Sequence, residues 1–217
     1  MTAAQEDLVR ADAPRDSTTA TRGSTTLTSP RVEDGAALWR IARDSRVLDL
    51  NSSYSYLLWC RDFAATSLVA RDATGAPIAF VTGYVRPDRP RALVVWQIAV
   101  DRAHRGRGLA GELLDALTAR VTAQHGVREI ETTITPDNTA SHRLFTAYAR
   151  RHGVGLAREV LFDGSLFPRE PEPGPGSGPG SGPDGGPDGP GPGPGPGGDA
   201  LPAHQPEVLY RIGPFPG

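Results

Sequence analysis

The 217-residue sequence contains no lysine; its 23 basic residues are all arginine. That excludes every mechanism carried by a lysine amine, Schiff-base and P-loop chemistry included. Cys60 is the single cysteine. No intrachain disulfide and no multi-cysteine metal site can therefore form. The five histidines (His104, His125, His142, His152 and His204) show no paired ligand spacing, so no metal is expected. No apolar run approaches the roughly 18 residues of a membrane-spanning helix. Residues 1–25 lack the apolar stretch of a secretory signal. A net charge of −2 gives no general attraction to nucleic acid or to an anionic membrane surface. These absences predict a soluble, cytoplasmic protein whose partner is neither nucleic acid nor membrane.

Two stretches carry too little apolar sequence to join a core. Residues 1–25 are polar, small or charged, and 169–203 are dominated by Gly and Pro. Both are expected to be disordered, the first as a tail and the second as an insertion. Residues 26–168 have the size of one domain, and 204–217 supply a last strand that completes it. The expected strands are Thr25–Pro30, Ser67–Arg71, Ile78–Val85, Ala92–Val100, Glu129–Thr135, Leu156–Phe162 and Glu207–Ile212. Turn residues 72–75 make a hairpin of the second and third. The near-continuous apolar run of Ala92–Val100 suggests burial on both faces. Helices are expected at Val32–Arg43, Tyr54–Ala64, Leu109–Ala123 and from Asn138 to Arg151. In the first, Val32, Ala36, Leu38, Trp39 and Ala42 share one face; in the third, Leu109, Leu113, Leu114, Leu117 and Val121 do. The order implies an α/β (α+β) domain with a mixed, mostly antiparallel sheet flanked by helices on both faces.

One segment stands out. The strand Trp96-Gln97-Ile98-Ala99-Val100 runs into Asp101-Arg102-Ala103-His104, and then into Arg105-Gly106-Arg107-Gly108-Leu109-Ala110 at the start of a helix. Such a loop aims several backbone N–H groups at one point beside the positive end of a helix, which suits a phosphate or pyrophosphate. Arg105-x-x-Gly108-x-Ala110 in this setting resembles the acetyl-CoA motif of the GCN5-related N-acetyltransferases (GNAT). The resemblance implies that the N–H groups of Arg105, Gly106, Arg107, Gly108, Leu109 and Ala110 cradle the CoA pyrophosphate. It also implies that Ile98 and Val100 bind the pantetheine arm as a neighbouring strand would, and that Asn138 and Ser141 touch that arm. Leu48–Leu58, Phe80–Tyr84, Val95–Val100, Thr133–Ser141 and Glu207–Ile212 resemble the diaminobutyrate acetyltransferase family. That likeness implies acetylation of the 4-amino group of L-2,4-diaminobutyrate in the pathway to the compatible solute ectoine, by a homodimer. Another small amine as acceptor, or a non-catalytic acetyl-CoA-binding module, stays open. The Gly/Pro insertion departs from the family pattern.

Making an amide from a thioester needs a neutral amine and a stabilised oxyanion. Deprotonating an alkyl ammonium at neutral pH costs about 4 kcal/mol, so a base is required. Glu131, between Ile130 and Thr132 on an interior strand, is a candidate base or amine ligand; otherwise it is a structural ion pair with arginine. The Ile98 N–H is the candidate oxyanion donor. Asp49, an acid in an apolar loop, is the first candidate for the substrate ammonium. Tyr54 could bind the same ligand or relay a proton, and Trp96 could wall the pocket. His204 matches a histidine near the family's C-terminus. A tyrosine often protonates the departing thiolate in the wider family, but its position here holds Phe145, which leaves Tyr148 or another residue. Cys60 has no evident histidine partner and reads as a buried small residue, so attack is direct.

Overall fold

A computed structural model of the chain describes residues 21–22, 25–167 and 204–215. Its strands are β1 (Thr21–Arg22), β2 (Thr25–Thr28), β3 (Leu68–Arg71), β4 (Pro77–Val85), β5 (Ala92–Val100), β6 (Glu129–Ile134), β7 (Leu156–Phe162) and β8 (Glu207–Ile212). They form one sheet in the order β1-β2-β3-β4-β5-β6-β8-β7. Its helices are α1 (Gly35–Ser45), α2 (Ser53–Asp62), α3 (Leu109–His125) and α4 (Thr139–His152). The β5–β6 pair is parallel, since α3 crosses between them; the other described pairs are antiparallel. The α1 and α2 helices cover one face, where Leu38, Ile41, Tyr56 and Cys60 pack on Val69, Phe80 and Ala99. On the other face α3 and α4 bury the expected leucine stripe together with Phe145 and Tyr148. Among the described residues no helix is long and apolar enough to cross a membrane.

Several sequence expectations change. Thr21–Arg22 pairs with Thr25 and Thr26 of β2, inside and at the end of the segment read as a tail; residues 1–20 and 23–24 of that tail, and the whole insertion, lie outside the described residues. The first helix opens as a 3-10 turn, Val32–Asp34. The tighter winding turns Val32 out to solvent, and Ala36 is exposed as well, so Leu38, Ile41 and Ala42 form the buried face. The chain beside it is pinned by Arg71, whose guanidinium holds both carboxylate oxygens of buried Asp34 at 2.8 and 2.6 Å.

The central strand β5 is not buried on both faces throughout, and the reason positions the site. Thr82 pairs with Gln97, but the next residue, Gly83, pairs with Val95. Trp96 is therefore an extra residue on β5, a β-bulge. A Cβ on Gly83 would lie 2.6 Å from the Val94 carbonyl oxygen, so this close approach requires glycine. The bulge swaps the faces of the residues beyond it: Val95 packs with α3 and α4, whereas Ala99 packs with α1 and α2. Pairing of β5 with β6 ends at Val94 opposite Glu131. Beyond that point the two strands part, and Trp96, 36% exposed, stands at the opening.

Candidate active site

The open edge of β5 is rich in free backbone. The Asp101 N–H donates to the Ile78 carbonyl at 2.8 Å. Strand alternation then turns the N–H groups of Ile98 and Val100 away from β4, into the gap. The Val100 carbonyl accepts from Arg105 Nε at 3.2 Å, which folds the loop back onto the strand end.

A cleft of about 270 Å³ follows this edge, lined by Leu48, Ile98, Val100, Arg105, Ala110, Asn138, Ser141 and Leu144. It ends at the glycine loop. Gly106 and Gly108 have φ of 77° and 81°, and nothing lies within 4 Å of where a Cβ would sit on either. These backbones are bare on the outer side, as a phosphate cradle requires. Gly108 precedes α3, and the first helical bond is donated by the Glu112 N–H to the Gly108 carbonyl. The N–H groups just ahead of Glu112 have no intrahelical acceptor. Arg105 differs from expectation, since its N–H is turned back to the Arg102 carbonyl at 3.5 Å. The Leu109 side chain is in the core, so its backbone alone faces the loop; Arg107 is exposed. Buried Asn138 caps α4 by accepting from the Ser141 N–H at 3.1 Å, and it lines the cleft as well.

A second cleft, about 190 Å³, opens on the other side of Asn138. Asp49, Asn51, Trp96, Gln97, Thr133, Thr135 and Glu207 line it. Trp96 is stacked on Trp59, with ring centroids 4.4 Å apart, which fixes one wall. Asp49 and Glu207 give the cleft two carboxylates. Burial pushes the Glu207 carboxyl above the ordinary carboxylate range, and the negative charges of Asp49 and Asp137 add to this. The Thr133 hydroxyl and His204 pull the other way.

Four sequence candidates fall elsewhere. Tyr54 is 64% exposed on the outer side of α2 and lines neither cleft. Glu131 is 2% exposed, but it is claimed by arginine: Arg86 at 3.1 Å, Arg211 at 3.1 Å and Arg89 at 2.5 Å. It forms the structural ion pair, the other of the two readings, and lines neither cleft. His204 stacks on Phe167, bonds the Gln205 carbonyl and lines neither cleft. Phe145 and Tyr148 are both core residues, and burial pushes the Tyr148 hydroxyl up to about 12. Neither lines a cleft. Buried Cys60, also pushed up to about 12 by burial, is an inert thiol as expected. The residues missed from sequence are Gln97, Thr133 and Glu207. The signal available for Glu207 was its place as the one acid opening the last strand.

The sequence matches the acetyltransferase (GNAT) family over residues 36–149. It is 62% identical over 203 residues to the L-2,4-diaminobutyric acid acetyltransferase of Streptomyces anulatus, covering 94% of this chain and 97% of that one. The corresponding enzyme of Nocardia farcinica is 52% identical over 151 residues, covering 70% and 77%. The chain belongs to the diaminobutyrate acetyltransferases of the GNAT family. Its fold resembles that of EctA from Paenibacillus lautus, solved in complex with its substrate L-2,4-diaminobutyric acid and coenzyme A. That likeness has a TM-score of 0.70 and 32% identity, over 89% of this chain and 96% of the other.

Proposed function

We infer that this chain transfers the acetyl group of acetyl-CoA to the 4-amino group of L-2,4-diaminobutyrate, giving N4-acetyl-L-2,4-diaminobutyrate. The observation that carries this reading is the meeting of two unlike clefts at Leu48 and Asn138, which line both. One has a glycine cradle and a free strand edge. The other has two carboxylates. A diamino acid brings two ammonium groups to match them. The relatives named for this reaction support the choice of acceptor.

Acetyl-CoA supplies an acyl carbon activated as a thioester. The backbone of Gly106, Gly108, Leu109 and Ala110 holds its pyrophosphate, with Arg105 and Arg107 adding positive charge. The strand edge at Ile98 and Val100, with Asn138 and Ser141 opposite, holds the pantetheine arm. Asp49 binds the ammonium that does not react. Glu207 takes a proton from the one that does, and its raised basicity suits that task. The freed amine forms the new C–N bond directly; the C–S bond breaks with its electron pair on sulfur, and the second nitrogen proton passes to that thiolate, releasing CoA as the thiol. The Ile98 N–H donates to the thioester oxygen as negative charge builds there. Trp96 walls the acceptor side and keeps bulk water out.

The protein acts in the cytoplasm, in the pathway to the osmoprotectant ectoine. It does so as a homodimer, a reading supported by edge strand β7, whose Val160, Leu161 and Phe162 are exposed in a row. The test is CoA release from acetyl-CoA with diaminobutyrate, ornithine, lysine and a peptide amine in turn. Diaminobutyrate should be strongly preferred. Equal rates with all four would leave a general small-amine acetyltransferase. Tight acetyl-CoA binding with no turnover on any amine would leave a binding module.

A further inference from the structure

Three polar groups under the acceptor cleft form a chain that the reaction itself does not use. Tyr56, fully buried on α2, donates from its hydroxyl to Gln97 Oε1 at 2.9 Å. Gln97 Nε2 donates to the Asp49 backbone carbonyl, also at 2.9 Å. Asn51 Nδ2 reaches the same carbonyl at 3.3 Å. The chain thus ties α2, the bulged strand β5 and the α1–α2 loop together. Without the extra residue at Trp96, Gln97 would point at α3 and could not take part. Burial pushes the Tyr56 hydroxyl above the ordinary phenol range, against the pull of Gln97 and Asn51, so it stays a donor. With Tyr56 donating, Gln97 must present its amide nitrogen to Asp49, and its orientation is settled. The front of the loop is held separately: the Val47 and Leu48 N–H groups donate to Ser45 Oγ at 3.4 and 3.3 Å.

We propose that Gln97 and Tyr56 are positioning residues for the acceptor amine, acting through the Asp49 carbonyl to hold the Asp49 carboxylate over the cleft. The proposal rests on the reading of Asp49 as the ammonium ligand. Gln97 touches the loop and Tyr56 orients Gln97, so their effects are serial. A loop on a lost tether fails to present Asp49, which weakens the amine and leaves the strand edge for CoA in place.

The experiment is steady-state kinetics with acetyl-CoA and diaminobutyrate on the full chain and on Gln97→Met, Tyr56→Phe, the double variant and Asp49→Asn. Gln97→Met keeps the side-chain volume and removes both hydrogen bonds. Its KM for diaminobutyrate should rise about tenfold, the fold-change of one lost buried hydrogen bond. Its KM for acetyl-CoA should stay within about twofold. Tyr56→Phe keeps the ring packed edge-on to Phe80 and should move the same KM less. The double variant should be no worse than Gln97→Met. An unchanged diaminobutyrate KM in Gln97→Met, an equal rise in both KM values, or additive effects in the double variant would overturn the proposal. Should Gln97→Met fail to fold, Gln97→Glu replaces it, keeping the acceptor for Tyr56 and removing the donor to Asp49; the same outcomes apply. If Asp49→Asn raises the amine KM and Gln97→Met does not, the positioning role alone falls. If Asp49→Asn changes nothing, the ammonium assignment falls and takes this proposal with it.

Discussion

Glu131 and Glu207 sit on adjacent strands and, by the pairing of Glu131 with Arg211 and of Thr133 with Leu209, on the same face of the sheet. Their surroundings are opposite. Glu131 has three guanidinium groups within hydrogen-bond reach. Glu207 has a threonine hydroxyl for company, with the carboxylates of Asp49 and Asp137 near enough to repel it. A carboxylate saturated with cations is stable and chemically idle. One that burial and like charges make uncomfortable gains basicity, and a cationic substrate relieves it. Burial alone does not mark a catalytic acid; the balance of partners does.

The sharpest way to break this comparison is to neutralise each glutamate without changing its size. Glu207→Gln should lower kcat by roughly 10²–10⁴-fold, the usual worth of a general base, with the KM for acetyl-CoA within about twofold. Its folding stability at neutral pH should not fall. The sign follows from the raised folded-state pKa. Such a group contributes stability below its unfolded pKa and loses that contribution as pH rises through the folded value. At neutral pH ionised Glu207 is therefore a burden on the fold. Glu131→Gln should do the reverse: a loss of about 2 kcal/mol in urea unfolding, because three guanidinium groups lose a charged acceptor while keeping Asp88, Glu129 and Glu159, with near-normal kcat in the protein that stays folded. Loss of kcat in Glu131→Gln at full stability would exchange the two roles.

A middle-sized effect concerns the buried pair of Asp34 and Arg71 at the start of α1. Burial raises the Asp34 carboxyl, but the hydrogen bonds from Arg71 and from the Arg31 N–H outweigh it and leave the pKa lowered. That stability is present above the unfolded carboxylate pKa and is lost as pH falls through the folded one. Asp34→Asn should cost about 2 kcal/mol at neutral pH and nearly nothing in strong acid, read from unfolding curves at the two pH values. A constant cost at both would show that Asp34 acts through packing and not through charge.

The glycine cradle was legible because everything it needs is contiguous: an apolar strand, a short turn, two glycines and a leucine-striped helix. The bounds of β5, β7 and β8 came out as expected for the same local reason. The acceptor cleft was legible only in part: Asp49 and Trp96 were expected and line it, but it is assembled from four distant segments, and the rest did not show. Tyr54 and Tyr56 differ by two residues, yet helical winding sends one to solvent and the other to Gln97. Gln97 faces the cleft through a bulge, and nothing in an alternating pattern announces one extra residue. Glu131 was correctly read as an interior acid needing a partner. Two of its partners, Arg86 and Arg89, flank a turn, and the third is on β8, so choosing between ion pair and base required the sheet order.

The smallest effect separates the two glutamates by their hydrogen bonds. The Thr133 hydroxyl, on the neighbouring strand, favours the Glu207 anion and opposes the rise in its pKa. Thr133→Val keeps the shape and deletes that hydroxyl. The Glu207 pKa should then rise further, because a group that favours its anion is gone. The acidic limb of kcat/KM for diaminobutyrate should move to higher pH by the same amount, because the base works ionised. At pH well above that limb the variant should match the parent. In the Glu207→Gln background the shift should vanish, since no titrating base remains for Thr133 to act on. A shift that survives in that background would mean the limb belongs to another group, and Glu207 would lose its place as the proton acceptor.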